Sequence, residues 1–300
     1  MKTEIPENLK ADLPPTGWGR ILGMTPVVMT VIATALAGLA SSEMTRAQYD
    51  RSLAAQLQSK AGDQWGLFQA KKLRSAFQKT AFDLLASSFE LHPLDASALP
   101  AAAEDRTAVE LLQHGGSPES AAAPATDGEI KAAIGAVEAS SPDSEIAGLL
   151  AHVDDASLDR ALRAAEDQVQ ALDAADQPAE RAIAQLDSVL GPAQKGVEAS
   201  LRRDFTALRL RRESQRYDSE ARLNQAIANI YELQVRKANI SAERHHVRSQ
   251  RFFYGMLGAQ MAVIISALSI AARQRNLLWS LAAAAGLGAV SFAVYVYLSV

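Results

Sequence analysis

Three stretches of this 300-residue chain contain no charged side chain, and they limit the fold more than any other feature. They are Ile21–Ser42, Phe252–Ala272 and Asn276–Val300, of 22, 21 and 25 residues. A hydrocarbon layer about 30 Å thick is crossed by roughly 20 apolar residues of helix, and within it every backbone polar group must be satisfied by the segment itself or by a closed barrel. Each run is long enough. Membrane helices are therefore predicted over 21–42, 252–272 and 276–298 after an N-terminal tail, 1–20. The fold class is an all-α, multi-pass membrane protein whose one large extramembrane domain is held at both ends. Trp18 and Trp279 are expected at one interface, and Phe252, Phe253, Tyr254, Tyr295 and Tyr297 at the other, where amphipathic rings collect. Arg273-Gln-Arg275 is a tight charged turn that folds the last two spans into a hairpin. The first run exceeds the apolar region of a signal peptide and lacks a short cationic segment before it, so it reads as an uncleaved signal-anchor.

Helices in lipid associate through close packing of small residues. Each span offers such a face: Gly38 with Ser42, Gly258 with Ala262, and Ala282, Gly286 and Gly288. Gln260 is the strongly polar side chain deep in a span, and it is expected to hydrogen-bond to a neighbouring helix, because an unpaired amide in hydrocarbon is costly. No span carries Asp, Glu, Lys, Arg or His, which argues against a proton- or ion-coupled transporter. Five basic residues lie near the membrane on each side, Lys2, Lys10, Arg20, Arg273 and Arg275 against Arg46, Arg51, Arg244, Arg248 and Arg251. Short loops weigh more than long domains in setting orientation, so the expected arrangement is a cytoplasmic N-terminus with the large domain periplasmic, in a bacterial inner membrane.

The overall charge of −4 conceals a strong division. Residues 1–88 carry 10 basic and 7 acidic groups, 89–195 carry 6 and 20, and 196–300 carry 14 and 7. An acidic insert (89–192) thus lies between a first helical arm (43–88) and a return arm (193–251). The first arm has no proline, and Leu53, Leu57, Trp65, Phe68, Leu73 and Phe77 recur at roughly helical spacing. The return arm follows Pro192, a good first-turn residue; Val197, Leu201, Phe205 and Leu208 form one stripe, and Tyr217, Ala221, Asn224, Ile227, Tyr231, Val235 and Ala238 continue it. Both arms root at the same side of the membrane, so they are expected to run antiparallel as a coiled-coil-like stalk roughly 70 Å long. The insert opens with irregular Pro/Ala/Ser-rich chain and continues as short helices over Glu129–Glu138, Ser144–His152 and Ser157–Leu172, started by Ser141-Pro-Asp and Asp155-Ala-Ser.

At Asp63-Gln-Trp-Gly-Leu-Phe-Gln-Ala-Lys-Lys-Leu-Arg74 the first arm resembles the signature of a bacterial family, the domain of unknown function 4337. Asp63, Gln64, Trp65, Phe68, Gln69, Ala70, Lys71 and Arg74 match its D/N-Q-W-x-x-Y/F-Q-A-K-x-x-R motif, whereas Gly66-Leu67 departs from its more aromatic usual pair. The ending is similar too, with Glu243-Arg-His-His leading into the second span. The resemblance covers about 20–88 and 215–300, not 90–195, and implies architecture without an assigned activity. On a helix, Gln64, Phe68 and Lys71 share one face, and Trp65, Gln69 and Lys72 the next. The expected role is packing, with Trp65 and Phe68 wedged between the arms and Gln69 bonded across to the return helix. The alternative is a binding face for a partner or lipid. Gly62 and Gly66 would admit a second backbone or a bend.

Enzyme chemistry needs clustered nucleophiles, bases or ligands. Cysteine is absent, which removes disulfides, thiolate metal sites and cysteine nucleophiles. The five histidines are His92, His114, His152, His245 and His246; the adjacent pair points about 100° apart on a helix and makes a poor chelate. Phosphate-loop, nucleophile-elbow and zinc-protease motifs are missing, as is the regular Asp spacing of a calcium loop. No catalytic, cofactor or metal residue is assigned. Arg244, Arg248 and Arg251 are expected at lipid headgroups. The run Arg202, Arg203, Arg209, Arg211, Arg212 and Arg216 is interleaved with Asp204 and Glu213 and faces an acidic insert, so it reads as a charged helix face rather than a nucleic-acid site. The expected function is a non-enzymatic, self-associating membrane scaffold with lipids and copies of itself as partners. The alternative is an accessory or sensory subunit that binds another membrane complex through the acidic insert.

Overall fold

The computed structural model describes residues 17–94, 109, 112, 127–190, 198–271 and 275–299. Among them there are six α-helices and no strand: α1 (Gly17–Ser88), α2 (Gly128–Glu138), α3 (Asp143–Leu150), α4 (Asp155–Leu190), α5 (Ala199–Ala271) and α6 (Arg275–Ser299). The regular structure of the described residues is all-helical. The first uncharged run and the charged segment after it form one helix of 72 residues, and the second run ends a helix of 73. α4 continues 18 residues beyond the predicted end at Leu172, through Pro178. Its cap is Asp154 rather than Asp155, for the Asp154 Oδ1 accepts the Ser157 N–H at 2.6 Å. The predicted start at Pro192, the Arg273–Arg275 turn up to its last residue and most of the Pro/Ala/Ser-rich segment lie outside the described residues.

α1, α5 and α6 are long and apolar enough to cross a membrane, and only 17%, 33% and 17% of their most apolar windows is buried. Val31, Leu268 and Leu287 are each well over half exposed. Side chains of that kind facing water along three helices would carry a large hydrophobic cost; lipid removes it, consistent with a membrane protein.

Two compact units divide the chain, Met1–Leu53 with Ala238–Val300, and Ala54–Lys237. In the first, Ala33, Leu36, Ala40, Phe252, Ala259, Ala289 and Val296 form the core. Phe252 is thus a core residue, whereas Phe253, Tyr254 and Tyr295 are exposed. Trp279 Nε1 donates to Thr25 Oγ1 at 3.2 Å. In the second unit, α5 is covered on nearly every side: between Leu201 and Ala238 only Arg211 and Arg222 are exposed. Leu94, Val109 and Leu112 join Ala182, Leu186 and Leu190 of α4 and Leu201 and Phe205 of α5 in a core cluster.

The inner face of α1 follows one rule. From Met29 through Ala33, Leu36, Ala40 and onward to Phe82 and Leu85, positions taken in alternating steps of four and three are all withdrawn from solvent. Every second one of them is alanine, seven residues apart, over Ala33, Ala40, Ala47, Ala54 and Ala61. The expected stripe of large apolar residues is divided instead: Leu57, Trp65 and Phe68 turn inward, but Leu53, Leu73 and Phe77 turn out.

Candidate functional site

The motif Asp63–Arg74 lies on α1 in the second unit, where its inward side chains meet α5. Trp65 Nε1 donates to Glu232 Oε1 at 3.0 Å, and its ring meets Phe68 edge-on at 5.5 Å. Lys71 pairs with Glu220 and sits 5.5 Å from the centre of the Tyr217 ring, with the Arg74 guanidinium 5.8 Å from the same ring. Such contacts are worth about 0.5–1 kcal/mol each at partly exposed sites. One turn on, the Ser75 hydroxyl donates to the Ser214 carbonyl at 2.9 Å, and Gln78 Nε2 donates to Glu213 at 2.7 Å. Rising numbers on α1 meet falling numbers on α5 throughout.

Gln69 is not the cross-helix donor expected. It is exposed and makes no hydrogen bond to a described residue, and Gln78 takes that role. Asp63 is exposed as well, and Gln64 is half-buried with its Oε1 unpartnered. A Cβ built on Gly62 or Gly66 would meet nothing within 4 Å, so neither admits a neighbouring described backbone.

Ion pairs bind the 128–190 segment to α5. Asp176, 5% exposed at its side chain, accepts from Arg212 at 3.1 Å and Arg216 at 3.2 Å; Arg216 also pairs with Glu180, and Arg209 with Asp187 at 3.0 Å. Further along, Arg236 meets Asp143 and Lys237 meets Asp155. Arg209, Arg212 and Arg216 of the dense arginine run are thus paired with carboxylates of their own chain. Burial by itself pushes the Asp218 carboxyl up, but hydrogen bonds and charge from Lys72 at 2.5 Å and from Arg222 at 2.7 Å bring it below the usual range. Burial holds the Glu213 carboxyl above it, only partly offset by Arg209. Two hydrogen bonds from Ser157 hold Asp154 low.

In the first unit, a Cβ on Gly258 would touch the Ala289 Cβ at 3.8 Å, and one on Gly286 would run into the Met29 side chain. Both glycines therefore sit at helix contacts, and Ala262 and Ala282 are fully buried. Gly38, Ser42 and Gly288 are instead exposed, with nothing within 4 Å of a Cβ on either glycine. Gln260 also departs from expectation. It is exposed, bonds to no described residue, and lines a groove with Thr30, Thr34, Ala37 and Val263.

Arg244 is exposed and Arg248 and Arg251 are half-buried, and none pairs with a described carboxylate. The neighbouring His245 does: its Nδ1 lies 2.5 Å from Glu43 Oε2 and its Nε2 4.0 Å from Asp50 Oδ2. This cluster was not foreseen. Its signal was Glu43, the first charge after an uncharged run, seated in the same four-and-three register as Ala40 and Ala47.

Residues 18–132 match the family model described as a domain of unknown function (DUF4337). That is the family the motif resembles. The match takes in the first membrane run and the whole motif, extends past the expected boundary near 88, and does not include 215–300. Comparison with curated proteins and with solved structures returned no match.

Proposed function

We propose that this chain is a non-enzymatic membrane scaffold that assembles with copies of itself. The observation that carries it is the outward face of α1. The helix commits its inner face to α5, yet leaves Leu67, Leu73, Phe77 and Leu84 exposed in a segment that lies outside the apolar runs. Large exposed apolar faces mark contact surfaces. The motif's cationic and aromatic groups, by contrast, are engaged in contacts within and between α1 and α5, which supports a packing role for Trp65, Phe68 and Lys71. The constant pairing of rising with falling residue numbers supports antiparallel arms, and the seven-residue repeat of α1 supports coiled-coil packing.

The setting is a bacterial inner membrane with the large domain periplasmic, and Arg244, Arg248 and Arg251 reach lipid headgroups, a reading favoured by their having no carboxylate partner among the described residues. Native mass in mild detergent tests the scaffold: a single homo-oligomeric species is expected, and a monomer overturns it. The accessory-subunit reading draws on a specific feature, for Glu129, Glu145, Asp167 and Asp173 are exposed and form no ion pair with a described residue. It predicts a second polypeptide in the purified species, released at high salt because exposed charges are screened.

A further inference from the structure

We infer that the outward face of α1 between Gly66 and Leu84 is the seam along which two copies of this chain pair, each laying this face on the same face of the other. The inference rests on the self-association proposed above and names its surface. Gly66, Ala70, Leu73, Phe77, Thr80 and Leu84 follow in alternating steps of four and three, and all are exposed. That is the repeat by which one helix seats against another. Leu73, Phe77 and Leu84 are 59%, 72% and 68% exposed.

What covers them follows from where the other apolar surface is. Within Ala54–Lys237, every described large apolar side chain that is exposed lies on α1 or, as Phe89, one residue beyond it. α2, α3 and α4 offer none. Among the described residues of this unit, a second copy offers apolar surface to meet this face by presenting the same face, which is an isologous, two-fold contact. Docking α1 on the exposed side of α4 would instead set Phe77 against carboxylates such as Asp167 and Asp173, at the cost of desolvating them.

Copies inserted in one membrane share a direction, so the paired helices run alike and each residue meets its own equivalent. Flanking positions then bring Gln69 to Arg74, Ala76 to Ala81, and Asp83 to Ser88. No like charges oppose each other across the seam, which is the charge condition for such a pair.

The absence of cysteine makes the test direct, because Phe77→Cys introduces a single thiol. Full-length F77C in native membranes, treated with an oxidant or a short bis-maleimide, is expected to give a covalent dimer, while Asp167→Cys is not. Phe77→Asp is expected to abolish the dimeric native mass with helical content unchanged. Cross-linking through D167C but not F77C, or an unchanged native mass in F77D, overturns the seam while leaving self-association standing. A monomeric wild type overturns both. A Phe77→Cys thiol inert to maleimide in a monomer shows that the chain's own residues cover the face, and also overturns the pairing.

Discussion

Ser140 carries the one positive φ among the described non-glycine residues, at 55°. It sits just past α2, where the Ser141 N–H reaches the Ala136 carbonyl at 2.9 Å and the Ser140 N–H reaches that of Val137 at 3.0 Å. This is the helix-ending arrangement that favours glycine, because a Cβ in the left-handed region costs about 1–2 kcal/mol. Ser140→Gly is expected to raise the melting temperature of the solubilised protein, corresponding to about 1 kcal/mol once the greater freedom of glycine in the unfolded chain is deducted. Two carboxyls should shape the acid limb in opposite ways. Asp218 is held below its unfolded value near 3.9, so its contribution is complete above about pH 4 and is lost as pH falls through the folded value. Glu213 is raised, so its contribution is present below the unfolded value and is lost as pH rises through the folded one. Melting temperatures taken from about pH 3 to 7 should fall less steeply toward acid in Asp218→Asn and more steeply in Glu213→Gln, relative to wild type.

At the scale of elements, the inward face of α1 includes small residues with no room to grow. Ala61 is fully buried, and Ser59, two positions away, is exposed. Ala61→Leu is expected to cost about 1–3 kcal/mol by overpacking, whereas Ser59→Leu should stay within about 0.5 kcal/mol; denaturant titration by circular dichroism separates the two. α4 is held to α5 through Asp176, and its removal leaves Arg212, 10% exposed, with no carboxylate in the pair. Asp176→Ala is expected to lose about 3–5 kcal/mol, and the double change Asp176→Ala with Arg212→Met to recover most of it, since an apolar pair of similar volume replaces a buried ion pair at little cost. Equal loss in the single and double variants would mean that packing, not charge, fixes α4.

For the molecule as a whole, protection should follow burial rather than hydrophobicity. In hydrogen exchange on the full chain, the amides of α5 from Ala221 to Ala238 are expected to exchange slowest within the second unit, because Arg222 alone is exposed among them. The α2–α3 turn at Ser140 should exchange first. Faster exchange in that part of α5 than in α2 would contradict the central position of α5.

The sequence by itself determined the membrane helices, since a 20-residue run without charge has no stable alternative to helix in lipid, and the all-helical class, since no strand-like alternation competes with the three-and-four spacing. Which face of each helix turns inward was decided only by the tertiary structure. Leu73 and Phe77 looked like core because they are large and apolar, but the inward register of α1 runs through Ala54, Leu57, Ala61, Phe68 and Ser75, and Leu73 and Phe77 lie off it. Gln69 and Gln260 depart from expectation for a related reason: spacing of three and four allows several stripes on one helix, and the identity of the neighbour chooses among them. The pairing of Glu43 with His245 and of Asp176 with Arg212 joins residues 202 and 36 positions apart. No local pattern encodes such contacts; folding creates them when it brings the two side chains together.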